Sequence, residues 1–120
     1  MRRRRGPGSR RPGGRGGSRR TIIITSVGPT GVVNSPNPTI RAIVEDRYGV
    51  LLSRHDIDVY LDGQPMRFSY GRSSGRLTGS TGSLSSGNHT VEIEAYTEDD
   101  NGNSKTGRKR WTFMIKKGGA

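Results

Sequence analysis

Apolar and polar residues alternate along several short stretches after residue 20, and this period of two is typical of β-strands with one buried face. In His89–Thr97, for example, Val91, Ile93 and Ala95 share one face, while glutamates and a tyrosine occupy the other. No stretch repeats its apolar residues with the period of a helix, so no helix is predicted. The predicted strands are Thr21–Val27, Thr39–Glu45, Ile57–Leu61, Gln64–Tyr70, Arg76–Thr78, His89–Thr97 and Arg110–Ile115.

Turn-forming residues separate these strands and favour a sandwich of two antiparallel sheets. Asp62-Gly63, between two of the predicted strands, is a signal for a two-residue hairpin turn. The competing architecture is a small closed barrel such as an OB-fold, which usually carries a helix between its third and fourth strands. The stretch Gly71–Gly87 is rich in serine and glycine and predicts no helix. The sandwich is therefore favoured over the barrel.

The first 20 residues have a different composition from the rest of the chain. They contain nine arginines, six glycines, two prolines and no acidic residue, and Met1 is their only apolar side chain. They carry +9 of the formal net charge of +11, which leaves +2 for residues 21–120. Such a segment cannot bury enough apolar surface to offset the entropy lost on ordering. We therefore expect a disordered arm at 1–20, a sandwich at 21–117 and a short tail at 118–120.

The chemistry of the arm predicts an anchor for a polyanion. The planar guanidinium group donates paired hydrogen bonds to phosphates and carboxylates, so the expected partner is nucleic acid or an acidic protein surface. The arm has no aromatic residue for base stacking, which favours an electrostatic tether with little sequence specificity. The predicted anchoring residues are Arg2, Arg3, Arg4, Arg5, Arg10, Arg11, Arg15, Arg19 and Arg20.

No catalytic or metal-binding pattern stands out, so we expect a non-enzymatic protein without a cofactor. Cysteine is absent, and the two histidines, His55 and His89, lack a third ligand at zinc spacing. A weak calcium candidate is the oxygen-rich turn containing Asp99, Asp100 and Asn101, which does not have the spacing of an EF-hand.

Three further residues are assigned structural roles. Asp46 and Asp62 are predicted to be turn residues and not a catalytic carboxylate pair. The single tryptophan, Trp111, alternates with apolar residues in the last strand and is predicted to anchor the core. No apolar run approaches the length of a membrane span, and the basic N-terminus lacks the apolar segment of a secretory signal.

The order of several motifs resembles bacterial immunoglobulin-like (Big-type) domains over about residues 26–116. In that family a Pro-x-Gly opening precedes a Pro-Thr-Ile strand, followed by a Leu-Asp-Gly turn, a Gly-x-His-Thr-Val segment and a Trp-Thr-Phe strand. The matching residues are Pro29–Gly31, Pro38–Ile40, Val44–Asp46, Leu61–Gly63, Leu84, Gly87–Val91, Asp99–Asn103 and Trp111–Phe113. The resemblance implies an all-β, immunoglobulin-like antiparallel sandwich of about seven strands, preceded here by the basic arm.

The resemblance implies several roles, since such modules serve as spacers, adhesins, carbohydrate-binding accessories and phage structural decorations. Combined with the arm, it favours a structural or accessory protein of a large assembly, such as a virion, formed in the cytoplasm. The alternatives are a nucleic-acid-binding protein that acts through the arm, and a cell-surface adhesion module with its export signal missing. The oligomeric state is left open.

Overall fold

The computed structural model describes residues 18–98 and 100–116, which form two β-sheets. The first 17 residues of the predicted arm and the predicted tail lie outside the described residues. The strands are β1 Ser18–Arg19, β2 Ile22–Gly28, β3 Gly31–Val33, β4 Thr39–Asp46, β5 Ile57–Leu61, β6 Gln64–Pro65, β7 Ser69–Gly71, β8 Arg76–Ser80, β9 Gly87–Glu98 and β10 Ser104–Ile115. Within the described residues, a 3-10 turn at Arg54–Asp56 precedes β5.

The two sheets have separate strand orders. The larger sheet has the order β1-β10-β9-β5-β6, with β3 also paired to β10, and the smaller sheet has the order β2-β4-β8-β7. Their long pairings are antiparallel, including the hairpin of β9 and β10, in which Ser104 pairs with Glu98 and Ile115 with Gly87. This arrangement confirms the predicted all-β sandwich and excludes the barrel.

The core lies between the sheets and is filled by alternate residues of their strands. Ile40, Val44, Leu77, Val91 and Ile93 are fully buried, and they come from both sheets. The phase predicted for β9 is therefore confirmed, with Val91, Ile93 and Ala95 inside. Alternate burial of β-branched and aliphatic side chains explains why these segments fold as strands.

One strand was predicted wrongly. Gln64–Tyr70 is not a single strand, because β6 pairs with β5 in the larger sheet and β7 pairs with β8 in the smaller one. Residues 66–68 cross between the sheets, and Met66 and Phe68 still pack against the core as they do so. The alternation of apolar residues in this stretch therefore indicates burial against the core, but the stretch passes from one sheet to the other.

The outer edge of β10 is paired with segments from the start of the described chain. Ser18–Arg19, predicted to be part of the arm, form β1 and run parallel to Ser104–Lys105. Further along, β3 runs parallel to Phe113–Ile115. Between them the chain passes through Ile22, whose backbone lies against Gly107. Such pairing limits the free hydrogen-bonding edge of a twelve-residue strand.

Candidate functional site

The base of the arginine arm lies at one end of the sandwich, which we call the arm end. Of the predicted anchoring residues, Arg19 lies in β1 and Arg20 is exposed just after it. The other seven, Arg2, Arg3, Arg4, Arg5, Arg10, Arg11 and Arg15, lie outside the described residues. The strand directions also bring to this end the tip of the β9–β10 hairpin and the loop of residues 47–53.

The loop of residues 47–53 is bonded directly to the base of the arm. The backbone N–H of Arg47 donates to the carbonyl oxygen of Thr21 at 2.7 Å. The hydroxyl of Thr21 donates to the Asp46 carboxylate at 2.5 Å. Because Thr21 follows Arg20 and Asp46 precedes Arg47, these two bonds bring two exposed arginines to the same end of the molecule.

The Asp46 carboxylate organises this end. Besides Thr21, it accepts backbone N–H bonds from Tyr48 at 2.9 Å and Val50 at 3.2 Å. The ammonium group of Lys105 lies 3.9 Å from the same carboxylate and 5.3 Å from the centre of the Tyr48 ring. Asp46 and Lys105 are each only 7% exposed, so this is a buried ion pair joining the two sheets.

Hydrogen bonding keeps Asp46 ionised. Burial opposes ionisation, but the hydrogen bonds from Thr21, Val50 and Tyr48, together with the charge of Lys105, outweigh it and hold the pKa of the Asp46 carboxyl below its usual value. The charge on Asp46 in turn balances the buried ammonium group. The prediction that Asp46 is a turn residue missed this function, since its bonds fix the following loop and reach both Thr21, just before β2, and Lys105 of β10.

This loop exposes two large apolar side chains. Tyr48 is 68% exposed and Leu51 is 61% exposed, whereas the next residue, Leu52, is 1% exposed and fills the core. Arg72 donates from Nε to the carbonyl oxygen of Leu52 at 3.0 Å. Bonds at both ends of the loop therefore hold Tyr48 and Leu51 toward solvent.

A second polar cluster lies at the opposite end of the sandwich. The Nδ1 atom of His89 is 2.7 Å from the Asp62 carboxylate, and its Nε2 atom is 2.8 Å from the carbonyl oxygen of Ser85. Asp62 also accepts the backbone N–H of Thr90 at 2.8 Å. Since both ring nitrogens face acceptors, the doubly protonated imidazolium satisfies both contacts.

The two ionisable groups of this cluster have opposite pKa shifts. The hydrogen bond with Asp62, supported by the Ser85 carbonyl, raises the pKa of His89 against the effect of burial. Burial raises the pKa of Asp62, but its bonds to His89 and Thr90 outweigh burial and lower it overall. Asp62 has φ of +53° and Gly63 has φ of +84°, which fit the predicted two-residue hairpin turn.

The remaining predicted site residues are scattered. Trp111 packs against the core but is only partly buried, and its indole N–H donates to the carbonyl oxygen of Pro29 at 2.9 Å. The fully buried aromatic residue of the same strand is Phe113. Of the calcium candidates, Asp100 and Asn101 are exposed in the hairpin turn, and Asp99 lies outside the described residues. Among residues 18–98 and 100–116, no group of three metal-ligating acidic, histidine or cysteine side chains occurs.

The fold defines an immunoglobulin-like β-sandwich module, entered at one end by a basic segment. A crystal structure of the Lin-41 filamin domain is similar to this chain, with a TM-score of 0.51 and 21% sequence identity. The alignment covers 82% of this chain and 95% of that one. At this identity the similarity shows the immunoglobulin-like fold alone.

The other comparisons add no relative. No family model matches the chain, and no curated protein matches it. Within the described residues, no helix is long and apolar enough to cross a membrane.

Proposed function

We propose that this protein is a non-enzymatic accessory module that attaches to an acidic surface of a larger assembly through its arginine arm and displays the sandwich. The observation that carries the proposal is the way the arm joins the sandwich. Ser18–Arg19 pair with β10, and Thr21 is bonded to both Asp46 and Arg47. A pull on the arm is therefore borne by two sheets and not by a free linker.

The charge distribution supports an electrostatic anchor. Residues 1–20 carry +9, whereas residues 21–120 carry +2, so most of the attraction for a polyanion comes from one short segment. Individual exposed ion pairs contribute little, but several arginines that act together on a dense array of phosphates or carboxylates bind with marked dependence on salt. Such a segment provides attachment with little sequence specificity.

We further infer that the sandwich belongs to the bacterial immunoglobulin-like (Big-type) group. The supporting observation is the contact between Asp62, from the Leu-Asp-Gly motif, and His89, from the Gly-x-His-Thr-Val motif. These two motifs are 27 residues apart and share one hydrogen-bonded cluster. The particular assembly, a virion formed in the cytoplasm or another particle, stays a prediction, as does adhesion at a cell surface.

The anchor is tested with full-length protein and an arm variant in which arginine is replaced by glutamine at Arg2, Arg3, Arg4, Arg5, Arg10 and Arg11. The probes are polyglutamate, a single-stranded oligonucleotide and duplex DNA, titrated over a range of salt concentrations. We expect the wild type to bind at low salt and the arm variant to lose most of that affinity. On duplex DNA, log K should fall with log salt by about 0.9 per phosphate neutralised.

A control variant removes three positive charges from the sandwich, half as many as the arm variant loses. The exposed residues Arg76, Lys109 and Arg110 are replaced by glutamine, and this variant should keep most of the affinity. Equal affinity of the wild type and the arm variant, or binding that does not respond to salt, would refute the anchor. Binding to oligonucleotides but not to polyglutamate would favour the nucleic-acid alternative over an acidic protein surface.

A further inference from the structure

We propose that the acidic surface met by the arm end is an anionic lipid bilayer, with Tyr48 and Leu51 entering the headgroup region. The inference rests on the proposed function of the arm as a polyanion anchor and names the class of its partner. It is carried by two exposed apolar side chains in one fixed loop at the end where the arginines enter.

The apolar contribution comes from the position of these two residues. Large exposed apolar side chains elsewhere in the described chain lie on strands; they are Ile23, Val32, Tyr96 and Met114. Tyr48 and Leu51 differ because they lie in a loop at the end of the sandwich and are 68% and 61% exposed. Tyrosine favours the bilayer interface, where its ring is in an apolar layer and its hydroxyl in a wet one.

The loop is organised before it meets a partner. The Asp46 carboxylate accepts the N–H groups of Tyr48 and Val50, and the carbonyl oxygen of Asp46 accepts the N–H of Gly49 at 3.0 Å. The burial of Leu52 fixes the other side of the loop. Binding therefore loses little conformational entropy in this loop, which favours insertion of even a small apolar surface.

The charge at this end favours anionic lipid over neutral lipid. Arg20 is exposed beside the loop and Arg47 is exposed at its start, and residues 1–20 hold nine arginines in all. Glu98 and Asp100, on the adjacent hairpin, oppose this attraction, but the arginines outnumber them. Stable binding of a protein to a bilayer surface generally requires two signals, and here a polybasic segment is combined with an apolar loop.

Leu51 is the residue that favours lipid over nucleic acid. An exposed tyrosine can stack on a base, but an aliphatic side chain has neither a ring to stack nor a group to bond phosphate. The hydrocarbon boundary of a bilayer takes both side chains together. A protein partner would need an apolar pocket bordered by carboxylates, which is a more specific requirement than a bilayer surface imposes.

The test uses full-length protein and sedimentation with vesicles of phosphatidylcholine containing 30% phosphatidylserine. The double variant Tyr48→Ser with Leu51→Ser should weaken partitioning about tenfold, a loss consistent with leaving part of two apolar side chains in water. Its binding to the single-stranded oligonucleotide should be unchanged. Both positions are exposed, but the Tyr48 ring lies beside the buried Lys105 ammonium group, so the variant should melt only a few degrees below the wild type and stay folded at the temperature of the assay.

The chain offers a matched control pair. Val32 is 63% exposed and Met114 is 41% exposed, and the two are paired across β3 and β10 at the end opposite the arm. The variant Val32→Ser with Met114→Ser removes a comparable apolar surface and should leave partitioning unchanged. Tryptophan fluorescence gives a direct readout of insertion. In the Leu51→Trp variant, the emission of the new tryptophan should shift to the blue on these vesicles and be quenched by brominated lipid. In the Val32→Trp variant, neither change should occur.

The outcomes separate the two proposals. If the wild type binds the oligonucleotide through its arm but does not partition onto the vesicles, the lipid proposal is overturned and the anchor stands. Unchanged partitioning of the Tyr48 and Leu51 variant would also overturn it, as would a selective loss of oligonucleotide binding by that variant. If the arm variant binds every probe as the wild type does, the proposed function itself fails.

Discussion

At the scale of single residues, Asp46 has more bonding partners than a turn residue needs. Its carboxylate joins β4 to the residue before β2, to the loop that follows and to Lys105 of β10. A buried charge is costly to remove from water, and it is tolerated because partners surround it. Removing the charge of one partner therefore leaves the other charged and unpaired.

We predict that Asp46→Asn destabilises the domain by about 2 kcal/mol, because Lys105 loses its counter-charge in a buried position. The measurement is urea-induced unfolding at neutral pH. Combining Asp46→Asn with Lys105→Met, which keeps the aliphatic stem, should recover part of the loss. Strictly additive effects of the two substitutions would show that the ion pair has no part in stability.

The cluster of His89 and Asp62 predicts how stability depends on pH. The pKa of His89 is raised above its ordinary value of 6.5, so its bonds stabilise the fold below that pH and weaken as pH rises through the folded-state pKa. The pKa of Asp62 is lowered below 3.8, so its contribution is present above that value and is lost on acidification. The contribution of this cluster to the free energy of unfolding should therefore be highest between pH 3.8 and pH 6.5.

Replacing His89 with glutamine should flatten the fall in unfolding free energy as pH rises above 6.5. It should cost about 1 kcal/mol at pH 5.5, a low value because Asp62 is 45% exposed and water can replace the partner. The measurement is urea unfolding at several pH values between 5 and 8.5. The His55→Gln variant, at an exposed position, is measured beside it as the control for removing a histidine. An unchanged slope in His89→Gln would contradict the assignment.

At the scale of strands, alternation reveals which face of a segment is buried but not which sheet it joins. Met66 and Phe68 both pack against the core, yet the strand predicted across them is divided between two sheets. Pro65 has no N–H to continue a ladder, a local sign that β6 ends there. The sheet that receives the next strand is decided by packing over the core, which no local pattern contains.

The spacing between β2 and β10 depends on Gly107, which no sequence pattern singled out. The Ile22 backbone runs so close to Gly107 that an added Cβ would lie 2.8 Å from the Ile22 Cβ and closer still to its carbonyl oxygen. We predict that Gly107→Ala costs about 1–3 kcal/mol by forcing β2 away from β10. Thermal unfolding measures this cost. Lys109→Ala, at an exposed position in the same strand, should change stability by less than about 0.5 kcal/mol.

At the scale of the whole molecule, the arm end and its loop illustrate where sequence reasoning stops. Composition identified the basic segment and placed its limit at residue 20, because the arginine-rich run without acidic residues ends there. The structure includes Ser18–Arg19 in a sheet. Asp46 and its partners Thr21, Tyr48 and Lys105 form a cluster, which we call the Asp46 cluster. It could not have been predicted from the sequence, since Thr21 is 25 residues from Asp46 and Lys105 lies on another strand. Only the closing of both sheets brings these residues together.

The same geometry predicts where the arm can be removed without harm. Deleting residues 2–17 leaves β1, Thr21 and the Asp46 cluster intact, so the shortened protein should melt within a degree or two of the full chain. Deleting residues 2–21 removes β1 and the Thr21 hydroxyl that bonds Asp46, and puts Met1 in the place of Thr21. That loss should cost about 2 kcal/mol, or about 10 °C in melting temperature for a domain of ~100 residues.

Differential scanning calorimetry at one protein concentration compares the two deletions with the full chain. A third deletion, of residues 2–19, isolates the contribution of β1, because it keeps Arg20 and Thr21. Its melting temperature should fall between the other two. If all three deletions melt alike, the base of the arm is not structurally coupled to the sandwich, and the arm is a free tether that cannot transmit load to both sheets. If the melting temperature drops mainly when Thr21 is deleted, the arm is coupled to the sandwich through Asp46, beside the loop that carries Tyr48 and Leu51.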